Sequence, residues 1–532
     1  MTDYNPSVAK PAPEHPASGS ESLGTAPVRK SSMMILDFGS QYTQLIARRV
    51  RELGVYSDVV PWDIAPDKIA AFNIKGVILS GGPETLTETS APALPDWIDQ
   101  SKMPVLGICY GMQAMVAHLG GRIERYGKSE FGPTHLKQIQ ESTLLRGLSD
   151  SGELLVWASH GDRIASLPPE FDSFARSDNC PIAVIQHRHR PWYGLQFHPE
   201  VTHTPSGTQI LSRFLFDICK CQPNWNLENE LETRIEQIRR TVGTDRVLLG
   251  LSGGVDSSVT AALLSRAIGD QLICMLVDNG LMRQGEIDNV ARAMSEVNIK
   301  LHIVDASAIF LRHLRKIEDP ERKRKVIGRT FIDVFEHEAE KHGQIEWLAQ
   351  GTIYSDVIES ARNLSDASHV IKSHHNVGGL PEVMQFKLIE PLSDLFKDEA
   401  RALGSILGLS DRLLKRHPFP GPGLAVRMLG AINPKGLGIL RAADAILMEE
   451  LKSNGLYDKV SQAFCVLLPV NSVGVVGDSR RYAPVLAIRA VETIDFMTAR
   501  FAHLPWKFIE RVSTRILNNV EGLSRVVYDV SG

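Results

Sequence analysis

Residues 252 to 258 read Ser-Gly-Gly-Val-Asp-Ser-Ser, directly after the apolar run Val247-Leu248-Leu249-Gly250-Leu251 and before a helix-like stretch from Ser258 to Ala267. A strand that turns through two glycines into a helix commits this part of the chain to an α/β unit with its ligand edge at the helix N-terminus. Small residues there let backbone N–H groups and hydroxyls close around a phosphate, and the helix macrodipole adds partial positive charge. The loop fits neither G-x-x-x-x-G-K-[ST] nor G-x-G-x-x-G, because it has no lysine and carries Asp256 in its middle. An acid among phosphate ligands points to a bridging Mg²⁺, with Asp256 as its protein ligand. The plain alternative is an ordinary Gly-Gly turn before a helix.

The same alternation begins earlier. From Met33 short apolar strands alternate with amphipathic helices, through Met33-Met34-Ile35-Leu36-Asp37, Val77-Ile78-Leu79 and Val105-Leu106-Gly107-Ile108. This predicts a mostly parallel sheet with helices on its faces, closing at the polar Cys221-Gln222-Pro223-Asn224. A second α/β unit follows, with strands expected at Arg246 to Leu251, Gln271 to Val277, Lys300 to Val304 and Trp347 to Gly351. The Pro- and Gly-rich run His417 to Gly423 opens a third unit. Strand-like segments at Phe464 to Val470, Val473 to Val476 and Val485 to Ile488, with helices near Asn433 to Asn454 and Pro505 to Leu517, read as small α+β.

The fold expected is therefore a multidomain α/β chain of two doubly wound, mostly parallel-sheet domains and a small α+β domain. The boundaries expected are 1–30 as a disordered tail, 31–223, 224–416 and 417–532. A length of 532 residues accommodates this, at roughly 150 residues per domain. The tail reading rests on five prolines among polar residues with no apolar core of a signal peptide.

A net charge of −4 implies no general attraction to nucleic acid or membranes, and no apolar run approaches the span of a bilayer. The six cysteines have no framework-like spacing in a chain large enough to fold without staples, so a reducing, cytoplasmic setting is expected. Cys219-x-Cys221, His187-x-His189 and His374-His375 each lack the rest of a metal shell, and no transition metal is expected.

A second chemical signal lies at Gly107-Ile108-Cys109-Tyr110-Gly111, between an apolar strand and a helix from Met112 to Leu119. Flanking glycines permit the tight turn of a nucleophile elbow with cysteine as nucleophile. A thiol needs a base, and Gly194-Leu195-Gln196-Phe197-His198-Pro199-Glu200 delivers His198 from a strand and Glu200 from the next turn. The carboxylate can then fix the imidazole tautomer. Oxyanion donors are expected from Gly81 and Gly82, in the glycine turn Ser80-Gly81-Gly82-Pro83, and from the Tyr110 N–H. Taken singly, Cys109 reads as a core cysteine and His198 as a structural histidine; their joint occurrence with both glycine turns favours catalysis.

These segments resemble the class I glutamine amidotransferases over roughly residues 33 to 220, with Gly107 through Gln113 matching Gly-x-Cys-x-Gly-x-Gln and His198 through Glu200 matching His-Pro-Glu. The resemblance implies that Cys109 attacks the glutamine side-chain amide and releases ammonia. The 252–258 loop is similar to that of the ATP pyrophosphatases, which makes Ser252, Gly253, Gly254, Val255, Asp256, Ser257 and Ser258 the expected ATP contacts. In this order the two resemble the glutamine-hydrolysing GMP synthetases from about Met33 onward. Gln350 to Ser360, Lys372 to Pro381, Phe396-Lys397-Asp398-Glu399 and Arg416 to Leu424 support that likeness.

The likeness implies that glutamine, Mg-ATP and xanthosine monophosphate (XMP) are the substrates, that the chain forms a homodimer through the third unit, and that Arg324 and Asp478 contact XMP. Arg324 lies in the basic stretch Glu318 to Lys325, which reads either as a solvated helix start or as a lid bringing cations to a triphosphate. Arg324 and Asp478 also suit surface salt bridges. The family's usual segment after Gly532, which supplies XMP contacts, sets the expectation of weakened XMP affinity; Ser355, Asn471, Ser479 and Arg480 are smaller departures.

Three rivals keep the ATP loop. Asparagine synthetases use an N-terminal cysteine where this chain begins Met1-Thr2, glutamine-dependent NAD synthetases use a nitrilase-type glutaminase without a nucleophile elbow of this kind, and thiouridylases want a catalytic cysteine where Cys274 sits inside an apolar strand. A nucleotide-binding regulator without turnover is the alternative of a different class.

Overall fold

The computed structural model describes residues 32–69, 72–87, 91–149, 151–358, 386–476, 479–493 and 500–531. The expected tail at 1–30, the supporting residues 359–360 and 372–381, and Asp478 lie outside the described residues. The chain divides into two compact units, Met1–Phe38 with Arg49–Asn224, and Gly39–Arg48 with Trp225–Gly532.

The first unit is built on a nine-stranded sheet. Its strands are β1 (Ser32–Asp37), β2 (Tyr56–Pro61), β3 (Ile74–Leu79), β4 (Val105–Ile108), β5 (Arg122–Gln138), β6 (Glu153–Ser166), β7 (Phe171–Arg176), β8 (Val184–His187) and β9 (Trp192–Leu195), in the order β2-β1-β3-β4-β9-β8-β7-β5-β6. The half from β2 to β9 is parallel and the half from β8 to β6 is antiparallel. Continuous apolar runs such as Met33-Met34-Ile35-Leu36 form the parallel strands because both of their faces are covered, and all four side chains are buried. The antiparallel extension is not visible in helix–strand alternation, since β5 to β9 follow one another without helices.

In the second unit β10 (Val247–Gly250), β11 (Leu272–Asp278), β12 (Leu301–Asp305), β13 (Trp347–Ala349) and β14 (Lys387–Ile389) form a wholly parallel sheet in the order β12-β11-β10-β13-β14. The chain leaves β10 toward β11 on one side, and β13 is added later on the other. β10 is therefore the point where strand order reverses, which opens a crevice at its C-terminal end.

The remaining strands, β15 (Gln462–Val476), β16 (Ser479–Glu492), β17 (Arg500–Phe501) and β18 (Arg525–Tyr528), form a mixed sheet packed with the helices Pro434–Ser453 and Trp506–Asn519. The two strands expected at 464–470 and 473–476 are one strand with a register shift between Leu467 and Asn471. Pro469 has no N–H for the ladder, so the strand bulges there rather than ending. One hydrophobic core runs through β10 and β11 (Leu248, Met275) to β15, β16 and the last helix (Leu467, Leu486, Val512). Lys323 crosses it, buried, donating from Nζ to the carbonyls of Ala425, Met428 and Gly430 at 3.1, 2.7 and 2.7 Å.

Candidate active sites

Parallel register sets up the first site. Leu79 of β3 pairs with Gly107 of β4, and Ile108 of β4 with Leu195 of β9, so the turns after all three strands emerge along one edge. Those turns carry Ser80-Gly81-Gly82, Cys109 and, three residues past β9, His198.

Cys109 caps the helix Tyr110–His118 with φ 51° and ψ −106°, a backbone that side-chain-bearing residues rarely adopt. Its neighbours allow the kink. A Cβ on Gly107 would come within 2.6 Å of Met112 N, and one on Gly111 within 2.5 Å of the Leu79 carbonyl. The Gly111 N–H donates to the Ser80 carbonyl at 3.0 Å, which ties the elbow to the glycine turn. Gly82 is equally confined, since a Cβ there would meet Phe38 O at 2.7 Å and the Tyr110 ring at 3.2 Å. Tyr110 occupies the first helical position, whose N–H has no acceptor within the helix. Its hydroxyl donates to the Pro92 carbonyl at 2.7 Å, and burial pushes its pKa up.

His198 and Glu200 are buried, with Nδ1 and Oε1 2.7 Å apart. Burial opposes protonation of the imidazole. The Glu200 charge and the hydrogen bond with Cys109 outweigh it and hold the His198 pKa well above the ordinary range. The other Glu200 oxygen, Oε2, is buried without a hydrogen-bond partner among the described residues, so the carboxylate's stabilising partner is His198. The backbone is held too: the His198 N–H donates to Trp157 O at 3.0 Å, and Thr204 Oγ1 donates to His198 O at 2.7 Å. Around the thiol, the Ser159 carbonyl stands 3.6 Å from Sγ and Gln196 Nε2 3.7 Å from it. Gln113 bridges Gln196 Oε1 and the Asp162 carbonyl at 3.1 and 3.0 Å. This arrangement can generate a thiolate beside an imidazolium and hold an acyl group at the sheet edge.

The second site lies in the crevice beyond β10. Gly253 has φ 72°, and Gly254 caps the helix Val255–Ile268. The Ser252 and Ser257 hydroxyls are 3.0 Å apart, the Gly254 N–H donates to Ser252 Oγ at 3.2 Å, and Ser258 Oγ donates to Gly254 O at 2.8 Å. The hydroxyls thus brace the loop around its own backbone. Asp256 Oδ2 pairs with Lys397, while Oδ1 is buried with no hydrogen-bond partner among the described residues. An orphaned carboxylate oxygen is a hard donor of the kind Mg²⁺ takes, so the residues present fit the ion. Arg416 reaches the Gly253 carbonyl and pairs with Glu286.

A cavity of about 250 Å³ opens against this loop, with Val277, Leu348, Phe331 and Phe386 as apolar wall and Lys397 and Arg401 as cations. Gly351, at the end of β13, comes so close that a Cβ would lie 2.9 Å from Ser257 N.

Arg324 is not brought to this cavity. The basic stretch forms the N-terminal turns of the helix Pro320–Lys341, capped by Asp319, with Arg324 exposed and 3.7 Å from Glu321. Its neighbour Lys323 is the residue that turns inward. Lys397 lies in the Phe396-Lys397-Asp398-Glu399 motif, but no sequence spacing ties it to Asp256, 141 positions away.

The profile of class I glutamine amidotransferases matches residues 34–218, that of NAD synthase residues 227–328, and that of the GMP synthase C-terminal domain residues 449–532. A glutamine amidotransferase domain followed by an α/β synthetase domain is the class of chain these matches and the fold define. Over 515 residues the chain is 56% identical to the glutamine-hydrolysing GMP synthase of Alkalilimnicola ehrlichii, covering 96% of this chain and 98% of the other. It is 54% identical to the enzyme of that name in Xylella fastidiosa (96% and 98% covered) and 53% identical to that of Cronobacter sakazakii (95% and 98%). The chain belongs to the glutamine-hydrolysing GMP synthase family.

Proposed function

We propose that this chain makes GMP from XMP, ATP and glutamine, with Cys109, His198 and Glu200 as the glutaminase and the 252–258 loop as the ATP site. The observation that carries the reading is the Cys109–His198–Glu200 constellation at the strained end of β4, on a chain that also braces a glycine loop around Asp256.

His198 takes the Cys109 proton, and the thiolate attacks the glutamine side-chain carbonyl. The Tyr110 N–H and the backbone of Gly81 and Gly82 receive the oxyanion. His198 returns the proton to the leaving ammonia, and water hydrolyses the glutamyl thioester. In the second unit the C2 oxygen of XMP displaces pyrophosphate from the α-phosphate of ATP. Ammonia then displaces AMP and leaves GMP.

Backbone N–H groups of residues 252–258 hold the phosphates at the helix N-terminus. Lys397 and Arg416 supply positive charge, and the apolar wall takes a purine base. Asp256 Oδ1 would hold Mg²⁺, which supplies charge neutralisation on the polyphosphate. Arg324 and Asp478 enter as the XMP contacts the family likeness implies. Arg324 is free to exchange its exposed pair with Glu321 for a phosphate, because such pairs contribute little.

A homodimer through residues 417–532 and a cytoplasmic setting belong to the same reading. Val473 and Tyr482, paired across β15 and β16, are exposed, as is Trp506, which suits a covered face. Among the described residues no helix is long and apolar enough to cross a membrane.

The test is GMP formation from XMP and Mg-ATP, with glutamine or an ammonium salt as nitrogen donor. Wild type should use both and Cys109→Ala only ammonium. Failure of wild type with both donors would sink the synthetase reading, and glutamine-dependent turnover by Cys109→Ala would sink the thiol assignment.

A further inference from the structure

We propose that Glu130, His160 and Cys180 form a zinc-type metal site in the amidotransferase unit, which no step of the reaction above uses. Glu130 lies in β5, His160 in β6 and Cys180 in the turn between β7 and β8. One carboxylate oxygen, one ring nitrogen and the sulfur all lie within 4.8 Å of one another, a grouping found nowhere else among the described residues. None of the three is close to another in sequence, so no spacing motif announces them.

Three features make this a ligand set rather than a crowded corner. The first is separation. Bonds of about 2.1 Å from a tetrahedral Zn²⁺ to N and O place those atoms roughly 3.3–3.4 Å apart. His160 Nε2 and Glu130 Oε2 stand 3.3 Å apart.

The second is the tautomer. His160 Nδ1 faces the Asp162 carbonyl at 3.1 Å, and a carbonyl only accepts, so Nδ1 carries the proton. Nε2 then faces a carboxylate oxygen at a distance where two bare lone pairs would repel. A cation belongs between them, either a second proton or a metal ion. The Cys180 sulfur beside the pair favours the metal, because thiolate with imidazole selects a borderline ion such as Zn²⁺ over Mg²⁺ or Ca²⁺.

The third is the surrounding hydrogen bonding. Ser177 Oγ donates to the remaining Glu130 oxygen at 2.6 Å and accepts from the Cys180 N–H at 2.9 Å. Together with the His160–Asp162 bond, this is the orienting support that ligating residues require.

Without the ion, the Cys180 thiol lies 3.2 Å from the Ile182 carbonyl as a donor. On binding, the S–H bond breaks, the S–Zn bond forms and the proton leaves to solvent. Carboxylate and thiolate then neutralise the dication, and water takes the fourth position.

Asp162 O, which accepts from His160, also accepts from Gln113, and Gln113 touches Gln196 beside Cys109. An ion at this site therefore clamps β5, β6 and the β7–β8 turn along the wall of the thiol site.

The experiment uses the untagged full chain carrying Cys109→Ser, which removes the reactive thiol as a competing ligand, titrated with Co²⁺ as spectroscopic probe and then Zn²⁺. The expected result is one Co²⁺ per chain with a sulfur-to-cobalt charge-transfer band and tetrahedral visible bands, displaced by Zn²⁺. Adding Cys180→Ser should abolish the band. Adding Glu130→Gln, which keeps the shape of the site, should keep the band but weaken binding by on the order of tenfold or more. The proposal is overturned if the Cys109→Ser chain shows no sulfur-to-cobalt band, or if the band survives Cys180→Ser. Should Cys180→Ser fail to fold, undiminished binding by the Glu130→Gln chain overturns it instead. None of these readouts depends on GMP synthesis.

Discussion

Replacing Cys109 by alanine and, separately, by glycine isolates the backbone strain of the elbow. Both variants lose the thiol and its packing, so their difference reads the conformation alone. In ordinary extended or helical backbone, glycine is less stable than alanine by about 0.5–1 kcal/mol, because the unfolded chain is freer. At φ 51° and ψ −106° the order should reverse. Alanine keeps a Cβ in a region that costs about 1–3 kcal/mol, and glycine does not. Subtracting the entropic penalty leaves glycine ahead by about 0–2.5 kcal/mol, with a midpoint near 1 kcal/mol.

Native-state hydrogen exchange at the β4 and β9 amides is the assay, since it reads the local free energy within a multi-unit chain. A difference near 1 kcal/mol should make those amides exchange about fivefold more slowly in the glycine variant. If Cys109→Ala protects them as well as or better than Cys109→Gly, the elbow is not strained and the explanation given for Gly107 and Gly111 fails with it.

Glu200→Gln should lower glutaminase kcat/KM by roughly 10- to 100-fold, the loss of about 1.5–3 kcal/mol for one charge-assisted hydrogen bond; a change under threefold would remove Glu200 from the mechanism. The His198 pKa is raised in the fold, so the contribution is fully present below the unfolded value of about 6.5 and is lost as pH rises through the folded value. The stability gap between wild type and Glu200→Gln in chemical denaturation should therefore narrow with rising pH, and a widening gap would contradict the assigned direction. Asp256→Asn should cut XMP-dependent ATP–pyrophosphate exchange by on the order of a hundredfold or more, and near-normal exchange would remove the carboxylate from the ATP site. Lys323→Met strands two buried carbonyls and a partly buried third, and its urea midpoint should report about 2 kcal/mol of lost stability or more; a loss under 1 kcal/mol would show that those carbonyls find other partners.

Much of the first site was legible because its chemistry is local. A nucleophile elbow needs glycines two positions either side of the nucleophile, and Gly107 and Gly111 are in place to clear Met112 and Leu79. His198 and Glu200 are two residues apart, so one turn sets their contact. Apolar runs named the buried strands, and two glycines between strand and helix named the braced loop before the helix Val255–Ile268, because these patterns follow from backbone geometry within a few residues.

Other features became visible only in three dimensions. Sheet register alone decides that the turns after β3, β4 and β9 share an edge, and strand-order reversal at β10 alone places the crevice beside Ser252. The basic stretch 318–325 shows the limit clearly. Composition could not separate lid from solvated helix, and the helix phase sends Lys323 into the core while Arg324 stays in water. Lys397 meets Asp256, and Glu130 meets His160 and Cys180, across separations for which sequence has no period. Local sequence determined the turns, strands and strained elbow of this protein, because those depend on backbone sterics over a handful of residues. Which distant charges and ligand atoms stand within a few ångströms of one another was decided by tertiary packing, since only the folded sheet order fixes those distances.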